Sequence, residues 1–509
     1  MAVTEAPGDS QTSGIRLIGN HGEGEERMSI DVTSEDQVKK GRQARRVEHL
    51  TESERSAWGK AARGEVPRSA HAAWEPSPHR PSPVVLLEEQ AQTRVPELVP
   101  IRYGRMLVSP FTFYRGAAYL MASDLSGMPR SGLHAQLCGD AHLSNFGAFA
   151  APDRRLVFSI NDFDETHPGP FEWDVKRLVA SFAVAGRDRG FDDKQREAVN
   201  LAVGKAYREA MAGYATMGNL DLWYTRVNVE DLLTEVQHLA TKKERKRAEK
   251  NLAKTRAKDS LRAFAKLTEI VDGEPRIVAD PPVVTPIEEI VGAERLDELE
   301  GFLRNVTRSY RRTLAGDRRS LLERYRYVHA ARKVVGVGSV GTRAFIMLML
   351  GRDERDPLFL QFKEAEASVL EPFLGKSEFS NHGQRVVEGQ RLTQAASDIM
   401  LGWIRADGVD GVSRDFYVRQ LWDAKGSALV ELMEPDLMRL YAGVCGSELA
   451  RAHARSGDAI AIASYLGTND TFDRALALFA ESYANQNERD YETLTKAVND
   501  GQIKAETGV

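Results

Sequence analysis

Two short apolar segments, residues 134–138 and 156–160, each run directly into a group of acidic side chains. Asp140 follows the first segment, and Asp162 and Asp164 follow the second. We predict both segments as strands, and loops that follow strands commonly carry the reactive side chains of enzymes. A single acidic turn is more often a surface loop or a helix cap. Two such turns on consecutive strands instead favour one polar site, and a fold for this chain must bring them together.

The composition indicates a globular protein rather than a nucleic-acid-binding or membrane protein. Hydrophobic residues make up 42% of the 509 residues, which is enough for a large core. The 69 basic and 74 acidic side chains nearly balance, so the chain has no overall positive field for nucleic acid. Cys138 and Cys445 are too few for a disulfide framework. The sequence has no bilayer-spanning apolar run and no signal-peptide pattern, so we expect a cytoplasmic protein without membrane contact.

The N-terminal part of the chain differs in composition from the rest. Residues 1–93 are rich in Gly, Ser, Pro, Glu and Arg and show no sustained apolar periodicity. Such a segment cannot offset the entropy lost on ordering, so we predict that it is largely disordered. Beyond it we predict mostly helices with a few strands. The mixed-charge run 242–250 is predicted to be the solvated face of a helix rather than a patch for an anionic partner.

The acidic loops have the residue types that phosphoryl transfer from ATP requires. That reaction needs a carboxylate that accepts the proton of the attacking hydroxyl, oxygen ligands for a metal ion, a cation on the phosphates and a backbone cover. Asp140 and Asn145 have the spacing of the kinase catalytic loop, and Asp162 follows one strand later, where a metal-binding aspartate belongs. The predicted catalytic residues are Asp140, Asn145 and Asp162. The predicted ligands of Mg²⁺ or Mn²⁺ are Asn145, Asp162 and Asp164.

A glycine-rich segment far downstream supplies the predicted cover. Its members are Gly336, Gly338, Ser339 and Gly341. Their spacing also fits a dinucleotide-binding turn, which requires a helix to begin within the glycines. Residues 344–350 and 358–363 instead have the pattern of two strands joined by a charged turn. We therefore predict a β-hairpin whose glycine loop covers the phosphates of ATP.

The last strand of this predicted hairpin ends in Lys363. We predict that Lys363 contacts the phosphates and that Glu388, on the helix that follows, is its ion-pair partner. Glu364 and Glu366 are competing partners, although they lie too close to Lys363 in sequence to be on a separate helix. The predicted ATP-binding residues are therefore the glycine loop, Lys363 and Glu388.

Several polar residues near these motifs have both a functional and a simpler interpretation. His142 could be a metal ligand, but a hydrogen bond to the backbone is favoured. Asp174, at the entry to an apolar helix, is predicted to brace the catalytic loop. Arg115 and its neighbour Tyr114 are predicted to be exposed and are candidates for contacts with an acceptor or a phosphate. An arginine at the start of a helix is just as often part of a structural ion pair.

Four segments carry a resemblance to a known family. They are residues 109–118, 138–147, 161–166 and 386–392. Together they look like the bacterial family catalogued as domain of unknown function 2252. The resemblance extends from about residue 94 to the late four hundreds, which is nearly all of the part predicted to fold.

The catalytic segment is also similar to the aminoglycoside phosphotransferases and related small-molecule kinases. Their loop reads His-Gly-Asp-x-x-x-x-Asn, with Ile-Asp-Phe downstream. This resemblance implies that Asp140 is the base and that Asn145 and Asp162 are metal ligands. The chain departs from the pattern because Cys138 replaces the histidine and Asp164 replaces a usual glycine.

The resemblance implies an α+β, two-lobed protein-kinase-like fold with a mostly helical large lobe. In ordinary kinases the glycine loop precedes the catalytic loop, whereas here it follows, so we expect a circular permutation. The catalytic half of the large lobe is expected at 94–330, the small lobe at 331–423 and returning helices at 424–509. A large separation between Lys363 and Asp162 would contradict this arrangement.

The expected function is an ATP- and Mg²⁺-dependent transfer of a phosphoryl group, or less readily an adenylyl group, to a hydroxyl acceptor of unknown identity. Two alternatives stay open. One is a metal-dependent phosphoesterase that uses Asp140, His142, Asp162 and Asp164. The other is a nucleotide-binding regulatory protein without turnover, against which the intact set of predicted catalytic residues argues.

Overall fold

The computed structural model describes most of the chain after residue 48. The described residues are 17–18, 29–30, 49–236, 242–257, 259–291, 296–334, 336, 338, 340–408, 411–421 and 424–508. The chain divides into two units, Met1–Thr51 and Glu52–Val509. In the first unit, two short antiparallel strands are described, β1 (Leu17–Ile18) and β2 (Ser29–Ile30). The larger unit contains every predicted site residue.

The larger unit is a mixed α+β structure, as predicted. Its helices are α1 (Glu52–Glu65), α2 (Pro83–Ala91), α3 (Val99–Met106), α4 (Pro110–Gly116), α5 (Ala118–Ser126), α6 (Phe171–Asp188), α7 (Asp193–Tyr214), α8 (Asn219–Tyr224), α9 (Val229–Val236), α10 (Lys242–Arg256), α11 (Ser260–Leu267), α12 (Ile287–Val291), α13 (Leu296–Thr313), α14 (Gly316–Leu322), α15 (Glu371–Leu374), α16 (His382–Thr393), α17 (Pro435–Ser456), α18 (Ala459–Leu466) and α19 (Thr471–Asn499). Its strands are β3 (His134–Leu137), β4 (Phe146–Ala150), β5 (Leu156–Ile160), β6 (His167–Pro170), β7 (Val227–Asn228), β8 (Thr268–Val271), β9 (Glu274–Ile277), β10 (Val284–Pro286), β11 (Arg326–Lys333), β12 (Ala344–Leu350), β13 (Pro357–Glu364), β14 (Gly402–Asp407), β15 (Ser413–Gln420) and β16 (Gly426–Ser427).

The prediction that residues 1–93 are largely disordered is wrong from residue 52 onward, where α1 and α2 form. Trp74 is buried against the ring of Tyr483, and His71 Nε2 is hydrogen-bonded with Tyr465 OH at 2.7 Å. These partners lie on α18 and α19, at the far end of the chain. The few apolar and aromatic residues of the segment therefore gain long-range contacts that offset the ordering entropy, and composition alone does not show such contacts.

The two strands predicted before the acidic turns are present, but they lie in different sheets. β3 pairs with β6, whereas β5 belongs to a four-stranded sheet of order β16-β4-β5-β7. β4, which was not predicted, forms an antiparallel hairpin with β5. Helix α6 begins directly after β6, and nearly all of its residues are buried. The two acidic loops are thus mounted on separate sheets that share a helical support.

A six-stranded antiparallel sheet contains the predicted glycine hairpin. Its strand order is β10-β11-β12-β13-β15-β14, and α15 and α16 lie between β13 and β14 in sequence. The described chain after the glycines enters a strand at Ala344, so no helix begins there. The predicted β-hairpin is confirmed, and the dinucleotide-binding alternative lacks the helix that it requires.

The alternation of side chains along β13 sets the direction of Lys363. Leu360 and Phe362 pack in the same apolar cluster as Tyr310 of α13, on one face of the sheet. Side chains at successive strand positions point to opposite faces. Lys363 therefore lies on the other face, as does its cross-strand neighbour Tyr417. This is the face that meets the acidic loops.

The core that supports these loops is mainly helical. Helices α6, α7, α17 and α19 contribute fully buried residues to one large apolar cluster, among them Val179, Tyr207, Leu449 and Leu476. Burial of one such side chain contributes roughly 1.5–3 kcal/mol to stability. The acidic loops therefore lie on a densely packed helical layer.

The mixed-charge run lies on a helix, as predicted. Helix α10 contains it, and Arg245, Lys246, Glu249 and Lys250 are exposed. Across the part of the chain that the structure describes, no helix combines the length and the apolar character needed to cross a membrane.

Candidate active site

Asp140 follows a turn that requires glycine. Gly139 has a φ of +81°, a backbone conformation that side chains with a Cβ rarely adopt. A Cβ at residue 139 would lie 2.1 Å from the carbonyl oxygen of Glu165. The first acidic loop can therefore contact the backbone of the second loop only with glycine at this position. This contact brings Asp140 into the same cavity as Asp162.

Asp174 holds the backbone of the first loop. Its Oδ2 accepts a hydrogen bond from the backbone N–H of Cys138 at 2.7 Å, and its Oδ1 accepts one from Gly139 at 3.1 Å. His453 Nε2, from α17, lies 3.3 Å from Oδ2. Hydrogen bonds to an ionised carboxylate are stronger than neutral ones. The predicted bracing role of Asp174 is confirmed.

The carboxylate of Asp140 is oriented by Arg177 of α6. Nε and Nη2 of Arg177 lie 2.9 and 2.8 Å from Asp140 Oδ1. The guanidinium also lies 3.9 Å over the ring of Tyr114, which is fully buried and not exposed as predicted. Asn145 Nδ2 donates to the carbonyl oxygen of Asp140 at 2.7 Å. Since the Asp140 side chain stays 20% exposed, a ligand can reach a carboxylate that is already fixed.

Lys363 joins the six-stranded sheet to the second acidic loop. Its Nζ contacts Asp164 Oδ2 directly and lies 3.9 Å from Asp162 Oδ2. The hydroxyl of Tyr417 donates to Asp164 Oδ1 at 2.8 Å. The Lys363 side chain is only 3% exposed, so salt screens this contact weakly. Lys363 and Asp162 are therefore close together, so the large separation that would contradict the predicted circular permutation is not observed.

Charge–charge contacts keep both members of this cluster ionised. Burial alone would raise the pKa of Asp162, but Lys363, Arg419 and Lys425 together hold that pKa well below its usual value. Burial would lower the pKa of Lys363, whereas Asp162 and Asp164 raise it above its usual value. At neutral pH the loop therefore presents a carboxylate beside a permanent cation.

The predicted ion pair between Lys363 and Glu388 is not formed. Glu388 Oε1 lies 3.5 Å from Arg391 Nη1 on the same helix, and its side chain is 37% exposed. Lys363 faces the acidic loops, where Asp164 is in direct contact. Glu364, a competing partner, pairs with two arginines instead. Sequence order favoured the following helix, but the face of β13 decides which carboxylate the lysine meets.

The described part of the glycine loop borders the same cavity. Gly336 and Gly338 line it, and Gly336 has a φ of +70°. Gly341 has a φ of +92°, and a Cβ there would lie 3.0 Å from Cβ of Arg94. Ser339, also predicted to contact ATP, lies outside the described residues. Of the four predicted loop residues, Gly336 and Gly338 therefore line the cavity, and Gly341 has the positive φ of a turn.

Most of the predicted site residues line one cavity of about 580 Å³. The predicted residues that line it are Asp140, Asn145, Asp162, Asp164, Gly336 and Gly338. Lys363 lies behind Asp164, and Glu388 does not line the cavity. Pockets of this size commonly hold small molecules and cofactors.

The oxygen atoms of the cavity suit Mg²⁺, which prefers carboxylates and usually keeps water or phosphate oxygens as further ligands. Asp162 supplies an ionised carboxylate, and Asn145 retains its Oδ1 as an acceptor because its Nδ2 binds the Asp140 carbonyl. Within the described ranges, no group of three His, Cys, Asp or Glu side chains is arranged to hold a metal alone. Asp162 and Asn145 could therefore supply two of the oxygen ligands of such an ion.

His142 and Cys138 have structural roles. The backbone N–H of Ser144 donates to His142 Nδ1 at 3.2 Å, so the predicted backbone bond is confirmed. Burial lowers the pKa of His142 to about 4, which leaves the ring neutral at pH 7. Burial also raises the pKa of the Cys138 thiol, so this residue is not a reactive thiolate.

Sequence reasoning missed the residues that position the acidic groups. Arg177 lies one helical turn after Asp174, and that spacing was the available signal. Tyr417 and Arg419 are two positions apart on β15, so both side chains lie on the face of the sheet that carries Lys363. This signal becomes readable only when the pairing of β13 with β15 is known.

Comparison with known proteins identifies the family. The family model described as "Uncharacterized protein conserved in bacteria (DUF2252)" matches residues 94–497, so the chain belongs to this family and that resemblance is confirmed. No curated protein and no solved structure matches the chain. The resemblance of the catalytic segment to small-molecule kinases stays a prediction.

Proposed function

We propose that this member of the DUF2252 family is an ATP- and Mg²⁺-dependent phosphotransferase that acts on a hydroxyl acceptor. One observation carries the proposal. Lys363, from the sheet that bears the glycine loop, contacts Asp164 across 199 residues of sequence and lies 3.9 Å from Asp162. Both carboxylates border the cavity that Asp140 also lines. Phosphoryl transfer is the chemistry that uses a base, a metal-binding carboxylate, a lysine and a glycine cover at one place.

In this proposal each residue has a distinct task. Asp140 accepts the proton of the attacking hydroxyl, and Arg177 holds the carboxylate in the required direction. Asn145 and Asp162 would hold Mg²⁺, and the bound ion would neutralise charge on the phosphates. Lys363 lies behind Asp164, where its buried positive charge keeps Asp162 ionised and holds Asp164 in place.

The proposed fold is a circularly permuted kinase-like arrangement. Strands β11, β12 and β13 follow each other in sequence and in the sheet, with the glycine loop between the first two. Lys363 lies near the end of the third strand, and the short helix α15 and then α16 follow. This order of parts supports a small lobe, and the helices after residue 435 pack with α6 and α7.

The phosphoesterase alternative gains less support. It would use His142 as a metal ligand, but Nδ1 already accepts a backbone hydrogen bond and the ring is buried. It would also leave the glycine loop and Lys363 without a task. No observation favours adenylyl over phosphoryl transfer.

Nucleotide binding tests the proposal directly. We expect Asp162→Asn and Lys363→Met to weaken binding of MgATP at least about tenfold, equivalent to about 1.4 kcal/mol, by isothermal titration calorimetry. Glu388→Gln is the matched control, because Glu388 pairs with Arg391 rather than with Lys363. It should leave the affinity for MgATP nearly unchanged.

Unchanged MgATP binding in both site variants would contradict the proposal. Release of phosphate from simple esters without ATP would point to the phosphoesterase. Once an acceptor is found, mass spectrometry of the product separates the addition of phosphate from the addition of AMP.

A further inference from the structure

The catalytic loop lacks a cation that could reach the transferred phosphoryl group. Between Asp140 and Asn145 the residues are Ala141, His142, Leu143 and Ser144. His142 is buried, and its Nδ1 accepts a hydrogen bond from the backbone N–H of Ser144, so the ring does not carry the second proton that a cation requires. The transition state of phosphoryl transfer spreads negative charge over the equatorial oxygens and is stabilised by a nearby positive group. Lys363 is paired with Asp164 and does not line the cavity, so a cation that contacts this group must come from another element.

Arg115 is placed to supply that charge. It lies near the end of α4, whose start is fixed by a capping box between Ser109 and Thr112. Arg115 lines the same cavity as Asp140. The carbonyl oxygen of Arg115 lies 3.4 Å from the position of a Cβ on Gly338, so the glycine loop passes close by. Helix α4, the loop of Asp140 and the glycine loop therefore meet at one side of the cavity.

The guanidinium of Arg115 forms no ion pair among the described residues, and Asp140 and Glu431 act on it only from a longer distance. Its Nε is buried without a hydrogen-bond partner, and no described carboxylate forms an ion pair with it. Some buried arginines are paired with carboxylates, such as Arg177 with Asp140 and Arg208 with Asp473. Others, such as Arg94 and Arg385, donate to backbone carbonyl oxygens instead. A buried charge is normally paired because desolvation is costly. The missing partner of Arg115 is expected to be an anionic ligand.

We propose that Arg115 contacts the phosphoryl group during its transfer, as a catalytic residue supplied from α4. This inference rests on the proposed function. The acceptor oxygen forms a bond to the γ-phosphorus while the bond from that phosphorus to the β,γ-bridging oxygen breaks. The bridging oxygen keeps the electron pair and leaves with ADP, and the acceptor proton goes to Asp140. Arg115 donates to the equatorial oxygens, where a planar guanidinium can bind two at once.

The test separates binding of the diphosphate from stabilisation of the transferred group. Calorimetry measures the affinity for MgADP alone and for MgADP with aluminium fluoride, which mimics the phosphoryl group in transfer. In the native chain, fluoride should tighten MgADP binding at least about tenfold. Arg115→Ala should keep the affinity for MgADP within about twofold and lose most of the tightening, and Arg115→Lys should regain part of it.

The control is Arg474→Ala, which removes an exposed arginine that pairs with Asp470 on the surface of α19. It should behave like the native chain. Equal tightening by fluoride in native and Arg115→Ala chains would overturn the role of Arg115 and leave the proposed function standing. A native chain that does not bind MgADP would overturn both. A lowered unfolding midpoint with equal losses in the Ala and Lys variants would assign Arg115 a structural role instead.

Discussion

Glu165 is a single side chain whose charge changes near neutral pH. Burial raises its pKa to about 7, although a hydrogen bond from the backbone N–H of Val369 to Oε2, at 2.8 Å, opposes the rise. Its carbonyl oxygen accepts a bond from Ser368 Oγ at 2.7 Å. Glu165 thus ties the second acidic loop to the segment after β13, and its protonated form is favoured in the folded chain over a wider pH range than usual.

The stability of the chain should depend on pH through Glu165. Between pH 4.5 and about 7 the folded state holds a proton that the unfolded state releases, so the free energy of unfolding falls as pH rises through this window. A difference of one pKa unit between the folded and unfolded chains corresponds to about 1.4 kcal/mol. Glu165→Gln should flatten the stability curve between pH 5 and 7 in urea unfolding, by roughly 2–3 kcal/mol over the window. The variant Glu197→Gln, which removes an exposed carboxylate on α7, should leave the slope as in the native chain. Parallel curves for native and Glu165→Gln chains would contradict the prediction.

Among single residues, the sequence predicts the site residues that can be recognised from a short motif of adjacent residues. Asp140, Asn145 and Asp162 are recognised by spacing within short loops, and the structure brings them to one cavity. Arg177 and Tyr417 act from a helix and a strand that approach only after folding. Their roles depend on which face of an element they occupy, and a linear motif does not carry that information.

Among the elements, the turns on either side of β3 offer a matched comparison of two glycines. Gly132 and Gly139 both have positive φ, +76° and +81°. A Cβ at residue 132 would meet nothing within 4 Å, whereas a Cβ at residue 139 would lie 2.1 Å from the carbonyl oxygen of Glu165. The two sites share the backbone strain and differ only in the steric contact.

Alanine substitutions at residues 132 and 139 separate the free-energy cost of a positive φ from the cost of the steric contact with Glu165. Gly132→Ala should lower the free energy of unfolding by roughly 1 kcal/mol, because only the conformational preference is lost. Gly139→Ala should lower it by at least about 3 kcal/mol, because the backbone of the two acidic loops must also move apart. The same variant should weaken MgATP binding. Equal losses of stability in both variants would show that the loops do not make this contact in solution.

The glycine hairpin shows how far an element can be predicted. Two apolar segments and the charged turn between them are sufficient to place β12 and β13 and to favour a strand over a helix after the glycines. β4 was missed because its five residues, with one glycine and two alanines, have a weak strand pattern. The partner of Lys363 was also missed, since Glu388 follows in sequence but Asp164 lies opposite in space.

At the scale of the whole molecule, the segment from α1 to α2 is part of the folded unit. It carries two tryptophans in contrasting settings. Trp74 is 8% exposed and its ring meets Tyr483 of α19 edge-on, with the ring centres 5.0 Å apart. Trp58, on α1, is 43% exposed. Low apolar content suggested disorder because composition does not report the few large side chains that reach distant helices.

This contrast gives a test that does not depend on the proposed chemistry. Trp74→Ala should lower the free energy of unfolding by roughly 3–5 kcal/mol, because a buried aromatic side chain leaves a cavity against α19. Trp58→Ala removes the same side chain from an exposed position and should cost less than about 1 kcal/mol. Urea unfolding, followed by circular dichroism, measures both. Small and equal changes in the free energy of unfolding would mean that the segment is not packed against α19 in solution and that it is disordered past residue 52. A large effect of Trp74→Ala alone would show that α18 and α19 complete their packing only with the N-terminal segment in place, which makes this segment part of the support beneath the acidic loops.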